Sequence, residues 1–247
     1  MSRNGLLLIG GWVLCGLALA VAPAALTGVL TFLFVMIGWI VALAVHEFGH
    51  AYVAWKAGDH TVKARGYLTF DPLRYADLAT SVVFPVIVLA IGGIALPGGA
   101  VYLRPDLMRS PVWRSAASLA GPGGTLLVLM GLGGLLFLAA LMGWSGPVWA
   151  AVALLALFQA MALVFNLLPV PGLDGFGVIR PFLPAAVQDR LAPVERVGIL
   201  LLIAAVFFVP GLSAVLWTSA LSITDGLGID LGKVRDGYTA FHFWKPA

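Results

Sequence analysis

The chain has 247 residues, of which 61% are hydrophobic and only 10% are charged, and its mean hydropathy is +1.03. Soluble globular domains carry about 25% charged residues, so this composition excludes a soluble enzyme, a disordered protein and a nucleic-acid-binding protein. The net charge of +3 is too small for a polybasic surface that binds nucleic acid or lipid headgroups. The sequence therefore predicts an integral membrane protein embedded in the lipid bilayer.

Long uncharged stretches predict the membrane-spanning helices. No charged residue lies between Arg3 and Glu47, and 59 uncharged residues separate Arg114 from Asp174. A helix needs about 20 apolar residues to cross the hydrocarbon core, so each of these stretches holds two spans. We predict an all-α polytopic membrane protein with about five to six transmembrane helices, whose clearest spans cover residues 5–22, 28–55, 115–142, 148–168 and 197–222, the last interrupted at Pro210-Gly211.

A short apolar stretch, residues 81–96, lies between two basic segments, residues 56–80 and 97–114. Lys and Arg concentrate in cytoplasmic loops, so these segments, a third over 172–196 and the N-terminus are predicted to face the cytoplasm. A stretch between two cytoplasmic segments cannot cross the membrane once, so residues 81–96 are predicted to form a re-entrant segment. Irregular backbone at that depth requires surrounding protein or a water-filled cavity, which we predict beside the second span.

His46 and His50 lie four residues apart on the second predicted span, hence on one face of a helix. Two imidazoles in this spacing can chelate one zinc ion, and the carboxylate of Glu47 beside them can act as a general base. Glu47 is the first charged residue after 43 uncharged ones. An ionised group inside a bilayer costs about 2.5–3.5 kcal/mol or more, which favours a functional role over the alternative of a solvated helix end.

A catalytic zinc site needs a third protein ligand and one open position. Asp174 follows the long uncharged stretch, and the Pro169, Pro171 and Gly172 before it predict that the fourth span unwinds there. The predicted topology places this end on the same side of the membrane as the end of the second span. Asp174 is therefore the predicted third ligand, and a simple turn residue is the alternative.

Other potential ligands fit this site less well. Cys15 lies near the opposite end of the first span. His60 and His242 lie in polar segments, and both are predicted to be surface residues.

Two motifs occur together in this chain: HEFGH at residues 46–50 in one span, and NLLPVPGLDG at residues 166–175 at the end of a later span. The pair resembles the site-2 protease family of intramembrane zinc metalloproteases, over about residues 28–180. The resemblance implies that His46, His50 and Asp174 bind one zinc ion (Zn2+) per chain and that Glu47 is the general base. It also implies hydrolysis of a peptide bond within or near a transmembrane segment of a membrane-protein substrate.

The resemblance suggests a single membrane-embedded domain over residues 1–247, with the catalytic core over about 28–180 and a C-terminal span and tail over about 197–247. The stretch from Gly98 to Leu103 resembles the membrane-associated β-hairpin of that family, which can pair with an unwound substrate strand.

The central span departs from the family pattern at one position. The family often has an Asn three residues after a Gly-Pro pair, whereas this chain has Thr125 after Gly121-Pro122, so that a hydroxyl partly replaces an amide. Asn166 matches the family pattern and is expected to support the active-site backbone or the substrate. No PDZ-like or nucleotide-sensing domain fits this length, so substrate access is expected to depend on the membrane segments, a regulatory membrane partner or a homo-oligomer.

The sequence leaves two other functions to weigh. A non-proteolytic zinc-binding membrane chaperone or transporter needs ligands but no general base, and a transporter is expected to carry ionisable groups in several spans. Glu47 and the lack of such groups in the other spans favour the protease. A prenyl-protein peptidase with the same zinc motif is not supported by the Leu173-Asp174-Gly175 context. The predicted location is the plasma membrane of a prokaryotic cell, with several spans and the active site toward the cytoplasm.

Overall fold

The computed structural model of the chain describes residues 2–71, 74, 88 and 101–245. Over these residues the chain forms helices and turns without a strand, which confirms the predicted all-α class. The α-helices are α1 (Arg3–Ala20), α2 (Ala24–Ala57), α3 (Thr61–Ala64), α4 (Pro111–Leu141), α5 (Pro147–Asn166), α6 (Asp174–Ile179), α7 (Ala185–Phe208), α8 (Leu212–Gly226) and α9 (Leu231–Phe241). Short 3₁₀ turns cover Tyr67–Thr69, Pro105–Leu107 and Arg180–Phe182.

Among the described residues, four helices are long and apolar enough to cross a membrane: α1, α2, α4 and α5. The two parts of α7, Ala185–Glu195 and Leu200–Phe208, are bent by 65° and count as a fifth span if taken together. A multi-pass membrane protein is therefore confirmed, with four to five described spans where five to six were predicted. The predicted re-entrant segment, residues 81–96, lies outside the described residues apart from Val88.

The predicted β-hairpin from Gly98 to Leu103 is not supported. The residues just before Val101 lie outside the described part of the chain, and those that follow it form no strand. The Val101 N–H donates to Oε2 of Glu47 at 3.1 Å, and the Arg104 N–H donates to Oδ2 of Asp59 at 2.8 Å. Side-chain carboxylates, rather than a strand ladder, therefore satisfy these two backbone donors.

Local signals in the sequence explain where α2 ends and α4 begins. Gly58 follows α2 with a backbone φ of +120°, a conformation that residues with a Cβ rarely adopt, so the helix stops there. Ser110 accepts a hydrogen bond from the Trp113 N–H at 3.3 Å, and Pro111 occupies the first helical position. These boundaries set the length over which α2 and α4 pack side by side.

Helix α5 is the centre of the bundle, since every residue from 151 to 163 is buried. It packs against α2, α4, α8 and α9. Helices α2 and α5 run in the same direction. Gly38 of α2 approaches Leu155 of α5. Further along both helices, His50 of α2 and Asn166 of α5 line one cavity. This arrangement brings the end of α5 to the depth of His50 on α2.

The N-terminus and the loops on either side of the undescribed stretch meet at one end of the bundle. The Ser2 N–H donates to the Thr69 carbonyl at 2.7 Å, and the Arg109 N–H donates to the Ala57 carbonyl at 3.0 Å. The described parts of the first two basic segments therefore lie at the same end of the bundle. Helix α9 packs near the start of α5, where Gly237 lies against the Ala150 carbonyl, so the C-terminal tail lies at the opposite end.

His242 was predicted to be a surface residue, and this prediction is wrong. Its side chain is 4% exposed and packs against the rings of Tyr238 and Phe241, with centroids 4.3 and 5.0 Å away. In the tail, α9 buries one face that includes Val234 and Phe241. Charged residues between these two positions make the segment look polar in the sequence. His60 is exposed, as predicted.

Candidate active site

Three side chains from two helices converge at one point. His46 and His50 project from α2, and their Nε2 atoms are 3.1 Å apart. Asp174 is the first residue of α6, and its Oδ2 and Oδ1 atoms lie 3.2 Å from His46 Nε2 and His50 Nε2, respectively. These are the three residues that the sequence predicted to come together, and they form the one group of potential metal ligands within the described residues.

The spacing of these atoms fits a zinc ion. Tetrahedral zinc with ligands at 2.0–2.1 Å places its ligand atoms about 3.3–3.4 Å apart, close to the 3.1 Å between the two Nε2 atoms and the 3.2 Å from each of them to one Asp174 oxygen. Two imidazoles and one carboxylate are also a common donor set for catalytic zinc, which leaves a fourth position open. Two imidazole nitrogens and a carboxylate that converge in this way can bind one divalent metal ion together.

The other ring nitrogens are held so that both Nε2 atoms point inward. His50 Nδ1 lies 2.7 Å from the Ala117 carbonyl, which can only accept, so Nδ1 carries the proton that it donates. His46 Nδ1 lies 2.9 Å from Oγ1 of Thr125. Metal-binding histidines usually have such a partner on the second nitrogen, because it fixes the tautomer and the orientation of the ring.

Asp174 is in the ionised form that a metal ligand requires. Burial by itself raises the pKa of its carboxyl group. The positive charge of His50 and hydrogen bonds from both imidazoles outweigh burial and hold that pKa well below its usual range.

Glu47 lies beside the two histidines and faces the same cavity. Its side chain is 3% exposed, and its Oε2 accepts the Val101 N–H, a backbone donor from a distant segment. A buried carboxylate with one oxygen fixed in this way has a defined position relative to the metal ligands. Among the described residues, Glu47 forms no ion pair with Lys or Arg.

Comparison with known proteins agrees with this geometry. The chain is 39% identical over 245 residues, 98% of its length and 91% of the relative's, to "Putative zinc metalloprotease Rip2" of Mycobacterium tuberculosis. It is 39% identical to the protein of that name from Mycolicibacterium smegmatis, covering 91% of this chain and 85% of the relative. It is 32% identical to "Putative zinc metalloprotease YwhC" of Bacillus subtilis, covering 74% and 84%.

The chain belongs to the site-2 protease family. No model of a protein family matches it, and no solved structure does. Identity at this level over nearly the whole chain confirms the resemblance that the two motifs suggested.

Glycines in α4 explain how α2 and α4 come close together beside His46 and His50. A Cβ built on Gly121 would collide with the imidazoles of His50 and His46, and one on Gly124 would lie 2.9 Å from the Val45 carbonyl. Glycine at these positions lets the backbone of α4 lie directly against the histidine rings. The packing of α2 on α4 and the position of the ligands therefore depend on each other.

We expect Gly121→Ala to disrupt the metal site, because the added methyl group displaces imidazoles that Thr125 and Ala117 hold in place. Zinc content measured on the purified protein should fall well below the native value. Gly123→Ala is the matched control, since a Cβ at Gly123 meets no atom within 4 Å. Native zinc content in Gly121→Ala would show that the rings can move without loss of the ligand geometry.

A cavity of about 240 Å³ opens beside His46, His50 and Asp174. Asn166 and Thr125, the two predicted supporting residues, both line it and are 6% and 3% exposed. The cavity agrees with the prediction of a protected space beside the second span. Trp39 and Gln159 also line it, and sequence reasoning missed both.

Proposed function

We propose that this chain is an intramembrane zinc metalloprotease that hydrolyses peptide bonds within or near transmembrane segments of membrane proteins. The observation that carries the proposal is Glu47, a buried carboxylate beside a His-His-Asp ligand set in a protein that spans the membrane. The relatives named as zinc metalloproteases support it over a zinc-binding chaperone or transporter.

We assign His46, His50 and Asp174 as the zinc ligands. When bound, zinc supplies a Lewis acid that polarises the scissile carbonyl and makes water nucleophilic at neutral pH. The Val101 N–H holds Oε2 of Glu47, so Oε1 is the atom that we assign to accept the proton of the attacking water. The water oxygen bonds to the carbonyl carbon, the C–N bond breaks, and Glu47 passes its proton to the leaving amine nitrogen.

Two further residues have assigned supporting roles. Thr125, 2.9 Å from His46 Nδ1, orients that imidazole, which is the role of the hydrogen-bonding partner of a metal ligand. Asn166 ends α5 beside the cavity, where its amide can bind the backbone of an unwound substrate. Unwinding is necessary because a transmembrane helix satisfies its backbone groups internally and hides its peptide bonds.

The catalytic core covers about residues 28–180, because α2, α4, α5, Asp174 and the Val101 N–H supply every group named above. We propose that the site faces the cytoplasm of a prokaryotic cell and that the protein lies in its plasma membrane. The basic segments at the same end of the bundle as the N-terminus support this orientation. A regulatory membrane partner or a homo-oligomer stays a prediction.

Metal removal tests the proposed function. Purified native protein in proteoliposomes is expected to cleave a single-span reporter, to lose this activity on chelation, and to regain it with about one equivalent of zinc per chain. Cleavage that persists in metal-free protein would contradict the mechanism. Zinc flux across the liposome membrane without cleavage of any membrane substrate would favour the transporter.

A further inference from the structure

Two side chains that line the cavity each carry a buried N–H group without a hydrogen-bond partner among the described residues. These groups are Nε2 of Gln159 on α5 and Nε1 of Trp39 on α2. The two side chains are 2% and 3% exposed, and both line the cavity that contains Glu47. A buried donor without a partner destabilises a fold, so such groups in a native protein need an explanation.

The two donors lie within about one helical turn of each other along the two helices, since Gly38 beside Trp39 approaches Leu155, four residues before Gln159. Trp39 precedes His46 by seven residues, and Gln159 precedes Asn166 by seven. Seven residues are two helical turns, about 10 Å, and α2 and α5 run in the same direction. Trp39 is therefore about two turns from His46, and Gln159 is about two turns from Asn166, each toward the middle of its helix.

We propose that Gln159 and Trp39 form a subsite that binds a backbone carbonyl of the unwound substrate. This proposal rests on the proposed function. An indole nitrogen offers only a donor, and the unpaired atom of the Gln159 amide is also a donor, so the ligand must be an acceptor. A substrate helix that unwinds in hydrocarbon exposes carbonyls that have lost their partners, and every substrate carries such carbonyls whatever its side chains.

The subsite explains why these groups are unpaired without a substrate. Binding a carbonyl at this level positions the unwound chain so that a peptide bond nearer the helix ends meets Glu47 and the metal ligands. The contact is present in the bound substrate and in the transition state alike, so its loss should raise KM and leave kcat nearly unchanged.

Gln159→Leu is the first test, since Leu keeps similar bulk and removes the donor. In a detergent-solubilised reporter assay, its KM is expected to rise about 3- to 10-fold, the effect of losing one neutral hydrogen bond. Zinc content should stay native, and the unfolding temperature should not fall, because the replaced donor has no partner in the described part of the fold. A purely structural glutamine would instead lower the unfolding temperature.

Trp39→Phe keeps an aromatic ring and is expected to raise KM in the same way, so it carries the test alone if Gln159→Leu does not fold. The double variant should show less than the product of the single effects, because both donors hold one carbonyl. Thr31→Val is the matched control. It removes another buried oxygen without a partner among the described residues, on α2 but outside the cavity lining, and should leave KM native.

The outcomes separate the subsite from the function itself. A native protein that cleaves no reporter contradicts the proposed function. A native protein that cleaves, with native KM in both Gln159→Leu and Trp39→Phe, overturns the subsite and leaves the protease intact.

Discussion

Glu47→Gln protein should keep about the native zinc content and cleave a single-span reporter at least about 100-fold more slowly. Gln keeps the size of the side chain and its ability to accept the Val101 N–H, but it cannot take up a proton as a carboxylate does. General-base catalysis contributes typically 10²–10⁴-fold, so the lower figure sets the smallest expected loss. Zinc should stay because the ligands that we propose are His46, His50 and Asp174.

The chain offers a matched control for this change. Glu195 is the other glutamate, and it pairs with Arg180 at 2.7 Å, away from the cavity lining. Glu195→Gln makes the same chemical change and should leave the cleavage rate near native. Metal analysis and initial rates on the three proteins give the comparison. Native cleavage by Glu47→Gln would remove Glu47 from the mechanism.

Asp174→Ala has the second large effect, since it removes one of three protein ligands and leaves two imidazoles without their carboxylate. Zinc affinity should fall by more than the roughly 10- to 100-fold lost when a ligand's hydrogen-bonding partner is removed. Cleavage should become undetectable at limiting zinc. Equilibrium dialysis against buffered zinc measures the affinity.

Asp189→Ala is the control for this substitution, because Asp189 is exposed and lies outside the ligand group. His46→Ala and His60→Ala form a second pair, in which the buried ligand should matter and the exposed histidine should not. Full zinc occupancy in Asp174→Ala would show that another residue supplies the third ligand.

The convergence of His46, His50 and Asp174 was predictable because isolated charges stand out in membrane-spanning sequences. Glu47 and Asp174 each follow a long uncharged stretch, and the charge of the loops places both at one side of the bilayer. For His46 and His50, the spacing of four residues predicts that both lie on one face of the helix. Composition alone predicted the spans for the same reason, since each must be apolar over about 20 residues.

Contacts between distant segments had no comparable signal. The Val101 N–H on Glu47 and the Ala117 carbonyl on His50 are backbone groups, which every residue carries, so no residue type marks them. The same holds for the buried face of α9, whose burial depends on packing against α5. Gln159 could have been predicted from the sequence. It is an amide inside an apolar span, two turns before Asn166 and therefore on the same helix face.

The most direct measurement of the central claim is the position of the cut. A single-span reporter is incubated in proteoliposomes with native or Glu47→Gln protein, and the products are sequenced by mass spectrometry. We expect the native protein to generate new termini within or next to the reporter's membrane-spanning segment, and Glu47→Gln to generate none. Cuts confined to the soluble ends of the reporter, or the same cuts with both proteins, would contradict intramembrane proteolysis at this zinc site.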